Sequence, residues 1–265
     1  VEVALDNPIG SPRLDEIAKP GERVAVVVDD KTTPIPTRLI LTCLLKKLDQ
    51  AGVRAEDITV IFGCGAHAMT REEGLAVIEE EHRSKLNIHI HDCHANDLKH
   101  VGNTSFGTRV LVNKTFMDAD VRVLTGDVGL HYFAGYSGGR KSVLPAIVGI
   151  DTIRHNHGLL LDPRARAGNL DGNPVHMDMQ EALRLVKAEF ALNVVLNSKR
   201  EIVRAFSGDV DKVFLEGVLL VDEMCKVPVD SAADIVIVSP GGSPFDIDLY
   251  EAYKGIDSAL RVVKD

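Results

Sequence analysis

The chain has 265 residues, 45% of them apolar and 26% charged, with a formal net charge of -9 at pH 7. This composition is typical of a globular protein, and the negative charge disfavours nucleic acid or an anionic membrane as the main partner. The sequence contains no apolar run of about 18 residues, no signal-peptide pattern and no closely spaced pair among its four cysteines, which favours a reducing, cytoplasmic location without disulfides.

Short β-branched runs alternate with stretches of helical periodicity in the first half of the chain. Residues 22–30 are almost continuously apolar, which predicts a strand buried on both faces. Thr70 and Glu73 form a capping-box pattern, which predicts a helix start. In chain order, the further predicted elements are a helix over 37–52, a strand over 57–65, a helix over 70–86 and strands over 87–92 and 121–128.

The same alternation continues in the second half. The predicted elements are a helical stretch around 142–161, a helix over 176–189, strands over 190–197 and 201–208, a helix over 210–227, a strand over 233–242 and a helix over 245–263. This order predicts an α/β fold with a parallel, doubly wound, Rossmann-like sheet. We expect an N-terminal domain over 1–230 and the beginning of a second α/β domain over 231–265. The chain lacks an initial Met and ends in a helical pattern, so we expect the natural protein to extend beyond both ends.

Polar side chains follow several predicted strands, at the edge where α/β proteins bind ligands. They are Asp29 and Asp30 with Thr32 and Thr33, the turn 63–65 with His67, Asp127 with His131, and the turn 240–242 before Tyr250 and Lys254. We therefore expect the functional site at this edge.

The sequence GYSGGRKS at 135–142, called the glycine loop below, combines glycines with two cations. Glycines let backbone N–H groups turn toward an anion, and Arg140 and Lys141 supply positive charge. The segment is not a Walker A loop, because Arg140 stands where that motif requires its last glycine. A tight turn with surface charges is the alternative interpretation.

Histidines supply the other candidate groups. His67 and His131 flank turns, and each alone is also explained as an ordinary loop or half-buried histidine. His155 and His157 are two apart, so at most one is expected to face a shared site. The HIHDCH segment at 89–94 resembles a metal cluster, but alternation on an edge strand explains it better, since no second ligand pair has zinc spacing.

Taken together, these segments resemble those of the nickel-pincer lactate racemase family. The resemblance covers essentially the whole chain and is most specific over 131–145. The matching segments are LDNPIGS at 5–11, the D-x-T-x-P element at 30–34, the G-x-H element ending at His67, HYFAGYSGGRKSVLP at 131–145, NHG at 156–158, RAGNL at 166–170, H-x-D-M at 176–179 and FDIDLYEAYKG at 245–255.

The resemblance implies that the domain over 1–230 is the catalytic and cofactor-anchoring domain, and it implies a role for each matching residue. Lys141 is expected to be joined covalently to a pincer mononucleotide, whose nickel is held by cofactor atoms and by His157. His67 and His131 are expected to be the two acid/base residues, and Lys254 to bind or polarise the substrate. The other expected cofactor contacts are Asp30, Thr32, Ser137, Gly138, Gly139, Arg140 and Tyr250. The expected partners are a small 2-hydroxy acid and the enzymes that synthesise the cofactor.

The implied chemistry is inversion at C2 of a 2-hydroxy acid through the 2-keto acid. A base with a pKa near neutrality is needed on each face to take the hydroxyl proton, and two histidines meet this need. The hydride passes to the organometallic cofactor, and a lysine stabilises charge near the carboxylate or the forming carbonyl.

Three positions depart from the pattern of the lactate enzymes. Thr33 and Ala68 stand where those enzymes have arginine, and Glu251 stands where they have glutamine. Loss of a guanidinium removes bidentate carboxylate recognition. We therefore expect a substrate other than lactate.

Three alternatives remain open from the sequence. The first is an inactive homologue that binds or handles the cofactor, and the second is a metal-independent nucleotide-binding enzyme that uses the SGGRK loop. The third is a zinc protein built on residues 89–94.

Overall fold

The computed structural model describes residues 1–30, 35–243 and 246–264, and it describes only the backbone of Tyr250 and Glu251. The chain divides into two compact units, Val1–Val221 and Asp222–Asp265. Among the described residues, no helix combines the length and the apolar character needed to cross a membrane.

Ten helices and ten strands are described. The helices are α1 (Glu2–Asp6), α2 (Leu14–Ile17), α3 (Thr37–Gln50), α4 (Arg71–Ala76), α5 (Glu80–Arg83), α6 (Lys114–Asp118), α7 (Ile150–Gly158), α8 (Pro174–Val186), α9 (Val210–Cys225) and α10 (Leu249–Ala259). The strands are β1 (Val24–Asp29), β2 (Ile58–Gly63), β3 (Asn87–Ile90), β4 (Lys99–Asn103), β5 (Arg109–Val112), β6 (Val121–Asp127), β7 (Leu130–His131), β8 (Gly135–Tyr136), β9 (Phe190–Leu196) and β10 (Ile202–Gly208).

Six strands form one sheet in the order β10–β9–β6–β1–β2–β3. All neighbouring strands are parallel except β10, which runs antiparallel to β9. The α/β prediction is therefore confirmed. The strand order reverses between β1 and β6, and a doubly wound sheet binds ligands at such a switch point.

The sheet is buried on both faces. Val26 of β1 belongs to one core cluster together with Ile40 of α3. The next residue, Val27, belongs to a second cluster together with Met179 of α8. Since successive side chains of a strand point to opposite faces, this division explains why the strands are almost continuously apolar.

Some predicted elements differ from the structure. The helix predicted over 70–86 is two short helices, α4 and α5, and Gly74 in the last turn of α4 lowers helix propensity there. The helical stretch predicted around 142–161 is a 3-10 turn over Gly139–Ser142 followed later by α7. The antiparallel pair β4–β5 was not predicted, because its pairing is interrupted beside Gly102.

The strand predicted over 233–242 is also not formed within the described residues. Ala233 makes an isolated pairing with Val263, and the side chains of Ile235 and Ile237 are exposed. A strand is stable only when a neighbour completes its hydrogen bonds, and a single bridge does not supply a ladder.

Candidate active site at the carboxyl edge of the sheet

Two carboxyl groups mark the switch point of the sheet. Asp29 is the last residue of β1 and Asp127 the last residue of the adjacent β6. Burial raises the pKa of Asp29 well above its ordinary value, and the neighbouring carboxylates of Asp127 and Asp30 raise it further. Burial likewise raises the pKa of Asp127. The site is therefore built around acidic groups that are costly to ionise.

Lys141 lies close enough to both carboxyl groups to act on them. Its positive charge lowers the pKa of Asp29 and of Asp127, against the effect of burial. The same charge helps to lower the pKa of His157. The charge of Lys141 thus acts both on the acidic strand ends and on His157, so the two residues predicted to hold the cofactor lie in the same neighbourhood.

The buried Oδ2 of Asp29 has no hydrogen-bond partner within the part of the chain that the structure describes. The buried Nδ2 of Asn193 likewise has no hydrogen-bond partner among the described residues. A Cβ added to Gly126 would lie 3.5 Å from this oxygen and 3.8 Å from this nitrogen, so both atoms face the small space above a glycine. No role was predicted from the sequence for Asp29, Asp127 or Asn193. The position of the two aspartates at strand ends is a signal that could have identified them as site residues.

His67 reaches the site from the turn that follows β2. Its Nδ1 lies 3.1 Å from Oδ2 of Asp30, whose side chain is 4% exposed while that of His67 is 57% exposed. A carboxylate accepts the Nδ1 proton, which leaves a lone pair on Nε2. Asp30, predicted to contact the cofactor, therefore orients His67 in this structure.

His131 presents the opposite atom. The backbone N–H of Ala134 donates to its Nδ1 at 3.2 Å, so a neutral ring carries its proton on Nε2. The ring stacks on Tyr132 with centroids 5.2 Å apart and meets Phe133 edge-on at 4.6 Å. In the neutral state, His67 thus presents an unprotonated Nε2 and His131 an Nε2–H group.

The glycine loop requires its glycines. Gly138 and Gly139 have φ values of 79° and 54°, and an added Cβ would lie 2.8 Å from the Asp127 carbonyl oxygen or from Phe214, respectively. The N–H of Ser137 donates to Gly129 O, and that of Gly139 donates to Asn193 Oδ1. Two of the three backbone N–H groups over 137–139, the residues predicted to contact the cofactor, are therefore already used within the protein.

Arg140, predicted to contact the cofactor, is buried beneath this loop. Its guanidinium donates to the carbonyl oxygens of Ala134, Tyr136 and Gly138 and lies 4.3 Å from the Phe214 ring centroid. Burial lowers its pKa to about 9. A side chain that is 1% exposed and bonded to its own loop supports the loop from below, so this geometry does not favour direct contact with a cofactor.

His176 lies near Arg140, because both side chains contact the ring of Phe214. We expect His176 to make the folded protein less stable in acid. It packs on Phe214, and burial, with lesser effects of Arg140 and Arg184, lowers its pKa to about 3. The unfolded chain gains a proton below the ordinary pKa of histidine while the folded chain does not, so stability falls as the pH falls toward 3. We expect His176→Phe to recover about 2 kcal/mol of the loss between pH 7 and pH 4.5.

Urea unfolding at both pH values measures this effect. His94→Ala removes an exposed imidazole and serves as the control. Equal pH dependence in the wild type and in His176→Phe would show that His176 is not the group responsible.

His155 and His157 both lie in the last turn of α7, but their surroundings differ. The Nε2 of His155 lies 3.0 Å from Phe106 O on the exposed side of the helix. His157 is half-buried and meets Phe133 edge-on at 5.0 Å, and burial with the charge of Lys141 lowers its pKa to about 4. His157 is therefore a neutral imidazole at physiological pH, as a metal ligand must be.

Most residues predicted in the first unit are joined by a continuous series of interactions. His67 contacts Asp30, which acts electrostatically on Asp29. Lys141 acts on Asp29 and on His157, and Phe133 contacts both His157 and His131. The structure therefore brings the predicted bases, tether and metal ligand into one region.

Other predicted residues lie elsewhere or are not described. Ala68 is exposed and follows His67 directly. Lys254 lies on α10 in the second unit, so its position relative to the histidines stays a prediction. Thr32, Thr33 and the side chains of Tyr250 and Glu251 lie outside the described residues.

Two of the three histidines in the 89–94 segment, His89 and His91, are held by protein groups. Nδ2 of Asn113 lies 2.9 Å from Nε2 of His89 and 3.2 Å from Nδ1 of His91, and Nε2 of His91 lies 3.0 Å from Val148 O. Both ring nitrogens of His91 are thereby occupied. Over residues 1–30, 35–243 and 246–264, no group of three or more His, Cys, Asp or Glu side chains is arranged to hold a metal ion by itself.

The chain is similar to known proteins over its full length. A family model described as the lactate racemase N-terminal domain matches residues 1–168. Lactate racemases of Thermoanaerobacterium thermosaccharolyticum and Lactiplantibacillus plantarum are 35% and 36% identical over 100% of this chain. The chain spans 63% of the length of each of these curated relatives.

Solved structures agree with this similarity. The lactate racemase apoprotein of Thermoanaerobacterium thermosaccharolyticum superimposes with a TM-score of 0.93 at 35% identity, covering 100% of this chain and 64% of that one. A Thermotoga maritima protein superimposes with a TM-score of 0.69 at 22% identity, covering 83% of this chain and 59% of that one, and shares the fold.

Proposed function

The chain belongs to the lactate racemase family, and from this premise we propose that it forms the catalytic part of a racemase or epimerase of a 2-hydroxy acid. We propose further that it uses a nickel-pincer nucleotide tethered to Lys141. The main supporting observation is that the charge of Lys141 acts on the strand-end carboxyl groups and on His157, which are linked by contacts to His67 through Asp30 and to His131 through Phe133.

The residues present fit such a cofactor. The burial that keeps His157 neutral leaves a ring nitrogen able to bind nickel, and the charge of Lys141 acts on the same ring. The buried Oδ2 of Asp29 has no hydrogen-bond partner among the described residues. This supports a site in which a group other than these residues completes the hydrogen bonding. When bound, the cofactor supplies an acceptor for the hydride that leaves C2.

The two histidines divide the proton transfers. His67 accepts the hydroxyl proton at Nε2, and Asp30 stabilises the resulting imidazolium through Nδ1. His131 faces a different requirement. To return a proton as an acid, its ring must be protonated on both nitrogens, so the bond from Ala134 N–H to Nδ1 has to break when His131 reacts.

We propose that the substrate is not lactate. In the sequence, Thr33 belongs to the D-x-T-x-P element that begins at Asp30, and Ala68 directly follows His67; neither side chain can form the bidentate carboxylate contact of an arginine. A larger or hydroxylated acid has further groups through which Glu251 could recognise it.

A screen of chiral 2-hydroxy acids with cofactor-loaded protein tests this substrate proposal. We expect kcat/KM for lactate to lie at least about tenfold below that for the preferred acid, since one lost charged hydrogen bond weakens binding by at least this factor. Chiral chromatography of the product measures the inversion. Full turnover of lactate would contradict the proposal, and Thr33→Arg with Ala68→Arg should raise lactate activity if it is correct.

The same cofactor-loaded samples distinguish an enzyme from an inactive homologue that only binds or handles the cofactor. Intact-mass analysis reports whether the protein is loaded, independently of turnover. Loaded protein without turnover on any acid in the screen would favour the homologue over the enzyme.

A further inference from the structure

The amide of Asn156 lies between His157 and a buried carboxyl group. Its Oδ1 is 3.2 Å from Nδ1 of His157, and its Nδ2 is 2.8 Å from Oδ2 of Asp178. Asn156 and Asp178 are both 0% exposed. They belong to the NHG and H-x-D-M segments, and the reaction described above gives neither residue a role.

Asp178 is held firmly at the far end of this arrangement. Its Oδ1 accepts from Thr104 Oγ1 at 2.5 Å, and its Oδ2 accepts from Thr108 Oγ1 at 2.8 Å as well as from Asn156. The two threonines lie in the β4–β5 connection, whereas Asp178 lies on α8 and Asn156 on α7. The carboxyl group thus ties the β4–β5 connection and α8 to the end of α7.

These contacts determine which way the Asn156 amide points. Its Nδ2 donates to Asp178 and also lies 3.2 Å from the carbonyl oxygen of Val175. Both neighbours are acceptors, so the amide nitrogen must face them and the amide oxygen must face His157. An amide oxygen only accepts, and His157 therefore donates its Nδ1 proton to it.

We propose that Asn156 and Asp178 are positioning residues that hold His157 in the Nδ1–H tautomer and so present its Nε2 to the nickel. This inference rests on the proposed function, which makes His157 the metal ligand. Ligating histidines commonly donate their other ring N–H to a fixed acceptor, which sets the ring orientation and raises the basicity of the ligating nitrogen. Here the acceptor is an amide polarised by a buried carboxyl group.

His155 provides an internal comparison. It lies two residues earlier on the same helix, but its Nε2 contacts a carbonyl oxygen on the exposed side. Its removal should leave the Asn156–Asp178 pair intact, so His155→Ala is the matched control.

Long-range nitrogen NMR of histidine-labelled protein without cofactor tests the tautomer directly. In the wild type we expect a protonated Nδ1 and an unprotonated Nε2 for His157, with the signal assigned by its loss in His157→Gln. Asn156→Ala should release this preference, whereas Asp178→Asn should retain it, because an amide oxygen can still accept from Asn156. A wild-type His157 protonated on Nε2 would overturn the proposal, even if Asn156→Ala and Asp178→Asn do not fold.

Nickel affinity of the cofactor-loaded protein, measured by chelator competition, is the second readout. We expect Asn156→Ala to weaken nickel retention about 10- to 100-fold, and His155→Ala to leave it unchanged. If the tautomer is as expected but the loaded wild type holds no nickel, the proposed function fails and the positioning role of Asn156 stands. If nickel is held and Asn156→Ala changes neither tautomer nor affinity, the positioning role fails and the proposed function stands.

Discussion

Replacement of His67 or His131 by asparagine is expected to lower turnover of the preferred 2-hydroxy acid by about 10²- to 10⁴-fold in each case. Asparagine approximates the size of the imidazole but cannot exchange a proton near neutral pH. Since inversion needs a proton acceptor on one face of C2 and a donor on the other, either substitution blocks both directions of the reaction. Chiral chromatography run from each enantiomer measures the loss.

The structure suggests matched variants for this experiment. His155→Asn alters a histidine on the exposed side of α7 and should retain wild-type turnover. Asp30→Asn removes the carboxylate that accepts the Nδ1 proton of His67 and should reduce kcat more than it raises KM. Full activity in both His67→Asn and His131→Asn would rule out the two-base mechanism.

Lys141→Ala is expected to abolish covalent loading and to reduce turnover to background. A methyl group cannot form the link to the cofactor, and hydrogen bonds from the rest of the site cannot replace a covalent bond. Lys141→Arg keeps a positive charge beside Asp29 and Asp127 but removes the nucleophilic amine, so it should also remain unloaded. Intact-mass spectrometry of protein produced together with the cofactor pathway measures the added mass.

Lys114→Ala removes an exposed lysine and is the control for this measurement. It should carry the same added mass as the wild type. An added mass that persists in Lys141→Ala would show that another residue is the point of attachment.

Hydrophobic patterning was sufficient to predict most of the sheet. The apolar runs at 22–30, 57–65 and 121–128 became β1, β2 and β6, because strands covered by helices on both faces tolerate few polar residues. Asp30 and His67 come after strands in the sequence. They were therefore predicted to lie in the site, because ligand-binding loops gather at one edge of a parallel sheet.

Tertiary partners were not predictable in this way. The burial of Arg140 depends on Phe214, which lies more than 70 residues later in the sequence, and no local pattern distinguishes a buried arginine from a phosphate-binding one. Asn193 lies in the interior of β9, where an amide is unremarkable until its Oδ1 is seen to accept from Gly139 N–H. Hydrogen-bond direction likewise became known only with the partners of His67 and His131 in place.

The positions proposed to hold the cofactor differ from those proposed to contact the substrate, and this difference affects how the family can acquire new substrates. Under the proposed function, the metal ligand lies on α7 and the tether in the 3-10 turn over Gly139–Ser142, whereas positions 33 and 68 follow Asp30 and His67 in the sequence by only three residues and one residue, respectively. A change at position 33 or 68 would then alter which substrate is recognised and leave the residues that hold the cofactor unchanged. Under this proposal, new substrates are acquired in few mutational steps.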